Sequence, residues 1–388
     1  MAAPAGIYLD ASATTPPAAA VLAEMAELQA RAWANPSSLH GYGLAAAEAL
    51  ERSRWRCAAV LGCSPDELVF TSGGTESIHL ALLGLGTTLA PGRLLISAVE
   101  HPATVAAAAQ LARQGWQVRE LPVDHLGRLE LHALREALEP PTRLVSLIWG
   151  QSEVGTLQEL EAIGELCRRA GVPLHVDAVQ VVGHRPVQFA ALPVDLLSLA
   201  AHKLQGPRGI GALLVRRGLA LQPLLAGGGQ EGGRRAGTEP VVLAAGLARA
   251  LELSQEAEPE RVAGLRDGLL ETLLGLEGVR LSGPDPRREP GQRLPHHLSV
   301  LVADRAGQPL NGRALVRELW REGYAVSSGS ACSSTGTTAS PVLRAMGFGE
   351  AEAASGLRLS LGPWLSLDDL VGVAPALERA RQRLAVTP

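Results

Sequence analysis

Between about residue 16 and residue 255, short β-rich runs alternate with helix-like stretches. The runs are ELVF before residue 71, RLLISAV near 96, WQVREL near 118, RLVSLI near 145 and PLHVD near 175, with PATVAAAAQLARQG and LQELEAIGELCRRAG among the stretches between them. Strand, helix and strand repeated in this way predict a mostly parallel sheet covered on both faces, an α/β domain. DLLSLA (195–200) and GIGALLV (209–215) are separated only by AHKLQGPR, too short for a crossover helix, so they are expected to pair antiparallel. After about 255 the pattern changes to long helices, a strand (HHLSVLVA), a further helix, a polar loop and a last strand (GLRLSLG). The expected organisation is a large domain over 15–255 and a smaller α+β domain built from 1–14 and 256–388.

The loop between the antiparallel pair holds the only lysine of the chain, Lys203; the other 34 of the 35 basic residues are arginine. A coding bias toward arginine explains why lysines are scarce, and leaves the survivor to be explained. A lysine amine can lose its proton and condense with a carbonyl, which a guanidinium does not do. The net charge of −4, without a clustered basic tract, argues against nucleic acid as a partner. MAAPAGIYLD lacks the look of a signal peptide and no run of 18 uncharged apolar residues occurs, so a membrane is not expected and the cytoplasm is the expected location. Cys57, Cys63, Cys167 and Cys332 lack CxxC spacing, and neither a disulfide framework nor a metal site is expected.

Several short motifs carry chemistry. TSGGTES (71–77) follows a strand and opens a helix, leaving backbone N–H groups for a phosphate, although such a turn is also an ordinary tight connection. In PLHVDAVQ the period of two puts His175 and Asp177 on one face, with Asp177 at the carboxyl end of its strand, where sites in open α/β sheets gather. A carboxylate there can pair with a protonated pyridine nitrogen, or simply end a strand; Gln180 lies within reach of the same ligand. His101 in EHPATV is either a helix-start histidine bonded to backbone or a ring that stacks on a flat cofactor and moves protons. AGGGQEGGRRAGTEP reads as a long functional loop. SSGSACSST surrounds Cys332 with small polar neighbours, as suits a reactive thiol rather than a buried one. Arg358 in GLRLSLG has the planar fork that suits a substrate carboxylate, with a surface ion pair as the alternative.

Taken together, YLDASATTP, NPSSLHGYG, FTSGGTES, EHPATV, HVDAVQ, AHKLQGPRGIGAL, GGGQEGGRRAGT, SSGSACSS and GLRLSLG resemble, in order, the landmarks of the class V aminotransferase-like, pyridoxal-dependent cysteine desulfurases of the NifS and IscS type. The resemblance covers nearly the whole chain. It implies the fold type I architecture of such enzymes, with a mostly parallel seven-stranded sheet, a smaller α+β domain carrying the Cys332 loop, and a homodimer with the active site at the subunit interface. It implies pyridoxal 5'-phosphate on Lys203 as a Schiff base, Asp177 at the pyridine nitrogen, His101 stacked on the ring and Gln180 at its phenolic oxygen. Gly74, Thr75 and His202 would hold the phosphate with Thr238 of the other subunit, and Ser152 would stand at the cofactor. Arg358 and Asn35 would bind the substrate, L-cysteine, and Cys332 would take its sulfur and pass it to an acceptor or scaffold protein for iron–sulfur clusters or thio-cofactors. The sequence departs from the pattern at Ser152 for asparagine, at Ala200 and Ala236 for serine, and at Gly362-Pro363 for Gly-Arg. Other pyridoxal enzymes of the same fold, such as a selenocysteine lyase or an aminotransferase, and a paralogue without activity, are the competing readings.

Overall fold

The computed structural model of the chain describes residues 6–256, 259–329 and 339–386; Cys332 and the loop expected around it lie outside the described residues. The larger sheet has seven strands in the spatial order Leu68–Thr71, Gly211–Val215, Leu196–Ala200, Leu174–Asp177, Thr142–Ile148, Arg93–Ser97 and Gln117–Leu121. Gly211–Val215 runs antiparallel to both of its neighbours, and the short connection through Lys203 requires this of its pairing with Leu196–Ala200. The remaining neighbours pair parallel.

Gln117–Leu121 at the sheet edge is mostly exposed, whereas the other six strands are buried and largely apolar on both faces because both are covered. Successive side chains alternate, so Phe70, Val145, Leu197 and Leu214 enter one core while Val69, Leu144, Leu196 and Leu213 enter another. The first core is closed by the helices Ala19–Arg31, Gly41–Leu61 and Val241–Glu256, which pack on one another. The second is closed by Pro102–Arg113 and by a helical run over 74–86 that widens into a π-turn at Leu80–Gly84.

A second sheet has four antiparallel strands in the order Ser327–Ser328, Gly356–Ser360, His297–Val302 and Val279–Leu281. Its core, with Leu298, Val300, Leu357, Leu359, Leu315 and Leu377, is separate from those of the larger sheet. The start of the described chain belongs to this side: Ile7–Tyr8 pairs parallel with Tyr324–Ala325, and the Ala11 N–H reaches the Ser360 carbonyl at 3.1 Å. From there residues 12–15 cross to the larger sheet, where the Thr15 N–H donates to the His202 carbonyl at 2.8 Å. That crossing segment lies against Lys203 and shapes the site. Among the described residues, no helix is long and apolar enough to cross a membrane.

Candidate active site

Lys203 ends a single 3₁₀ turn, Ala201–Lys203, between the two antiparallel strands. Its Nζ donates to the Ser12 carbonyl at 2.6 Å and to the Ala13 carbonyl at 2.9 Å. Gln180 donates to the same Ser12 carbonyl from Nε2 at 2.9 Å and leaves Oε1 buried without a hydrogen-bond partner among the described residues. His202 turns toward Thr14, Nδ1 to Oγ1 3.2 Å, and burial pushes its imidazole down to about 4, so it is neutral at physiological pH.

Asp177 ends its strand, buried, and is oriented by the Val179 N–H at 3.0 Å to Oδ1. His101 is the N-cap of Pro102–Arg113: Nδ1 accepts from the Ala103 N–H at 3.1 Å, and proline follows at the first helical position, where no N–H is needed. The backbone bond therefore fixes the tautomer and leaves Nε2 as the donor of the neutral ring. Asp177, His101 and Lys203 act on one another's charge. Burial pushes the Asp177 carboxyl up, while His101 and Lys203 pull it back toward the anion. Burial pushes His101 down, with Asp177 opposing and Lys203 adding to the shift. His175, one period behind Asp177, is a different kind of residue. Its two ring nitrogens pair with Ser146 and Ser198, both at 2.8 Å, and burial lowers it to about 3, so it ties three strands together as a neutral core histidine.

The TSGGTES turn does open a helix, Gly74–His79, whose first backbone bond runs from the Ser77 N–H to the Gly73 carbonyl. The N–H groups of Gly74, Thr75 and Glu76 precede it at the positive helix end. Gly74 packs tightly on its inner side, since a Cβ there would lie 2.8 Å from Val179 Cγ2. Gly73 has a φ of 151° and open space where a side chain would stand. The glycine-rich loop is anchored to this same turn. Arg54 and Glu231 form a buried two-pronged ion pair at 2.7 and 2.8 Å, Glu231 also accepts from the Phe70 N–H, and Arg235 pairs with Glu76 at 2.9 Å. Asn35 and Thr238 are both exposed and line a common cavity of about 440 Å³, and Lys203 is not part of its wall.

Arg358 lies in the middle of Gly356–Ser360, its side chain 8% exposed. It donates from Nη2 to Asp10 Oδ1 at 2.8 Å and from Nη1 to the Ser152 carbonyl at 3.0 Å, leaving Nε buried without a partner among the described residues. Ser152 therefore meets Arg358 through its backbone, which any residue at this position supplies. Ala200, at the end of its strand, is buried beside Gly74. Nothing in the structure explains the change to Ala236 or to Gly362-Pro363. The thiols of Cys63 and Cys167 are pushed up to about 12 by burial and that of Cys57 higher still, so all three are held protonated. Among the described residues, no cluster of histidine, cysteine and carboxylate side chains is arranged for a metal ion.

Four contributors escaped the sequence reading. Asp10 stands inside YLDASATTP but shows its role only as the partner of Arg358. The Ser12 carbonyl receives both Lys203 and Gln180 and leaves no trace in sequence. Glu100, next to His101, is buried, accepts from Ser97 Oγ at 2.5 Å and the Ile148 N–H at 2.9 Å on Oε1, and is pushed up to about 8 by burial. Glu153, buried likewise, is pushed up to about 7.

An amine, a carboxylate and an imidazole in one another's field, a helix start rich in small residues, and the unpartnered Gln180 Oε1 suit a flat, heteroaromatic phosphate ester that carries a carbonyl. Known proteins match nearly the whole chain. A cysteine desulfurase from Cereibacter sphaeroides is 40% identical over 378 residues, 96% of this chain and 95% of the relative, and the cysteine desulfurase IscS of Dictyoglomus turgidum is 36% identical over 384 residues, 97% and 95%. Among solved structures, a NifS-like protein superposes with a TM-score of 0.88 at 32% identity, covering 98% of this chain and 99% of the other. SspA in complex with cysteine superposes with a TM-score of 0.80 at 32% identity, covering 92% and 99%. The aminotransferase class-V profile matches residues 7–371, from the strand that leads to Asp10 to beyond Arg358, and the chain belongs to that family.

Proposed function

We propose that this chain is a cysteine desulfurase that takes sulfur from L-cysteine with pyridoxal 5'-phosphate, releases L-alanine and leaves the sulfur as a persulfide on Cys332. The observation that carries the reading is the meeting of the only lysine, Lys203, with Asp177 and His101 beside the phosphate-type helix start. When bound, the cofactor supplies an electron sink joined to the substrate Cα. Lys203 is the amine that holds it and, once freed, the base that moves protons at Cα. With the cofactor bound, Asp177 as the anion would hold the ring nitrogen, His101 would cover the ring, and Gln180 and Ser152 would stand at its polar edge. Gly74, Thr75 and His202 hold the phosphate, with Thr238 contributed by a second copy of the chain.

Arg358 and Asn35 bind the substrate carboxylate, the Arg358 Nε being a donor that no described residue uses. The Cys332 thiolate attacks the substrate sulfur. The S–S bond forms as the Cβ–S bond breaks, that bond's electron pair stays with the carbon, and a proton completes the methyl group of alanine. A sulfur-acceptor or scaffold protein then takes the persulfide sulfur for iron–sulfur cluster or thio-cofactor synthesis. The working form is a homodimer. Asn35 and Thr238 line one open cavity whose wall does not include Lys203, and Trp33, Leu39 and Tyr42 near Asn35 in sequence are exposed, as suits a surface covered by a second copy. Residues 15–255 form the cofactor domain, with 1–14 and 256–388 as the smaller one, and the enzyme works in the cytoplasm, where Cys332 stays reduced.

Alanine and sulfide release from L-cysteine, with a reductant present, tests the reading. Wild-type protein is expected to release alanine and Lys203→Ala none above background. Cys332→Ser is expected to lose turnover while keeping the visible cofactor absorbance. Equal alanine from wild type and Lys203→Ala would sink the reading, and unchanged turnover in Cys332→Ser would point to a different reaction on the same cofactor.

A further inference from the structure

Glu153 occupies an unusual place. It is 6% exposed, yet it lies beside two residues that are distant in sequence from it and close to each other in space. Its carboxylate hydrogen-bonds the Ser340 side chain, which also caps the helix Pro341–Ala345 by accepting from the Leu343 N–H at 3.0 Å. On its other side stands Gly329, where a Cβ would lie 2.1 Å from Glu153 Oε1 and 2.6 Å from Cδ. Gly329 and Ser340 are held in turn by one further stretch of chain, Gly329 N–H to the carbonyl of Gly356 at the start of its strand at 3.4 Å and Ser340 N–H to the carbonyl of Ala353 at the end of the helix Glu350–Ala353 at 3.0 Å. Glu153 also feels the charge of Arg358, and the residue before it, Ser152, offers Arg358 its carbonyl. One short turn, 151–153, thus touches the carboxylate-binding arginine with its backbone and both Gly329 and Ser340 with a side chain. The turn itself is held by Gln151, whose Nε2 reaches the Val99 carbonyl at 3.1 Å and whose Oε1 accepts from the Glu153 and Val154 N–H groups.

We propose that Glu153 is a positioning residue for sulfur transfer: wedged between Gly329 and Ser340, it sets the register of these two points of the chain relative to Arg358. The inference rests on the desulfurase reading, in which Cys332 lies between Gly329 and Ser340 in sequence and Arg358 holds the substrate whose sulfur Cys332 attacks. Glu153 has no part in holding the cofactor. Loss of its side chain is therefore expected to leave the cofactor in place and to slow only the step that needs both partners in register, because small misplacements of reacting atoms cost large factors in rate. The glycine at 329 follows from the same contact, since any side chain there meets the carboxylate.

The test uses the cofactor-loaded enzyme and two readouts: the visible cofactor spectrum with its change on adding L-cysteine, and single-turnover persulfide on Cys332 measured by mass spectrometry alongside alanine. Glu153→Ala is expected to keep the spectrum and its cysteine-induced change and to form persulfide about 10-fold or more slowly. Glu153→Gln, which keeps the volume and an acceptor for Ser340, is expected to restore most of the rate. Gly329→Ala is expected to reproduce the selective loss, and combining it with Glu153→Ala to add little, because the collision partner is gone. Should Glu153→Ala not fold, Gly329→Ala and Glu153→Gln decide. Wild-type persulfide rates in Glu153→Ala, additive losses in the double variant, or loss of cofactor spectrum and persulfide in proportion would each overturn the proposal. Absence of alanine from the wild-type enzyme would instead overturn the desulfurase reading itself.

Discussion

Arg358 and His175 show how differently two buried polar residues are used. His175 meets Ser146 and Ser198 with its two nitrogens and is finished as a hydrogen-bonding group. Arg358 spends Nη1 and Nη2 on Ser152 and Asp10 and keeps Nε over. Its fork is held rigid by two protein acceptors, so the remaining donor is aimed rather than mobile. Lysine at this position keeps the charge and loses the fork. Arg358→Lys is expected to raise KM for cysteine about 10- to 100-fold with a smaller change in kcat, equivalent to a charge-assisted hydrogen bond of about 1.5–3 kcal/mol. Steady-state kinetics check this, and an unchanged KM would remove Arg358 from the substrate site. Arginine on a short strand was readable in GLRLSLG, but whether it met solvent or an acid of the chain was not. That choice depended on Asp10, which is brought across from the far end of the chain by pairing of Ile7–Tyr8 with Tyr324–Ala325 and by its own bridge to Ser360 of the smaller sheet.

At the scale of elements, the site is made by ends: the carboxyl end of Leu174–Asp177, the start of Gly74–His79, the start of Pro102–Arg113, and the turn between two antiparallel strands. The turn could be placed from sequence because AHKLQGPR cannot hold a crossover helix, and antiparallel pairing is the remaining way to join neighbouring strands. Gly211 begins the return strand and supports the phosphate-type turn from behind. A Cβ there would lie 2.4 Å from the Leu199 carbonyl oxygen and 2.8 Å from Gly73 Cα, both backbone atoms that cannot swing aside. Gly211→Ala is expected to displace the 73–75 turn and weaken cofactor retention about tenfold, read as faster loss of visible absorbance on dialysis, with secondary structure intact by circular dichroism. Retention equal to wild type would separate the turn from the cofactor. The glycine-rich loop was recognisable by composition, whereas its anchoring was not. The Arg54–Glu231 pair joins residues far apart in sequence, and only folding shows that they meet.

The whole molecule buries ionisable groups of both kinds, and their signs oppose. Burial lowers His175 to about 3 and His184 to about 4 from an ordinary 6.5. The unfolded chain therefore binds more protons than the folded one below pH 6.5, and stability falls as the pH drops from there. Burial raises Glu100 to about 8 and Glu153 to about 7 from an ordinary 4.5. Here the unfolded chain loses its protons first, so stability falls as the pH climbs from 4.5 through the folded values. Above pH 6.5 the histidine contribution is fully present and the carboxyl slope remains. The melting temperature of the loaded enzyme is expected to decline between pH 6.5 and 8, and Glu100→Gln to flatten that decline. A melting temperature that rises across this range, or an equally steep fall in Glu100→Gln, would show that these carboxyls ionise freely in the folded state.

Sequence alone determined the alternation of strand and helix, the antiparallel turn, the phosphate-type turn and the standing of Lys203 as the chain's one lysine. Each is a local property: periodicity, connection length, small residues at a helix start, or residue identity. Tertiary structure decided which carbonyls receive Lys203 and Gln180, that Asp10 holds Arg358, that Asn35 and Thr238 share a cavity, and that Glu100 and Glu153 are buried. These depend on segments far apart in sequence being packed together, and burial, unlike periodicity, is set by what the rest of the chain places on top of a residue.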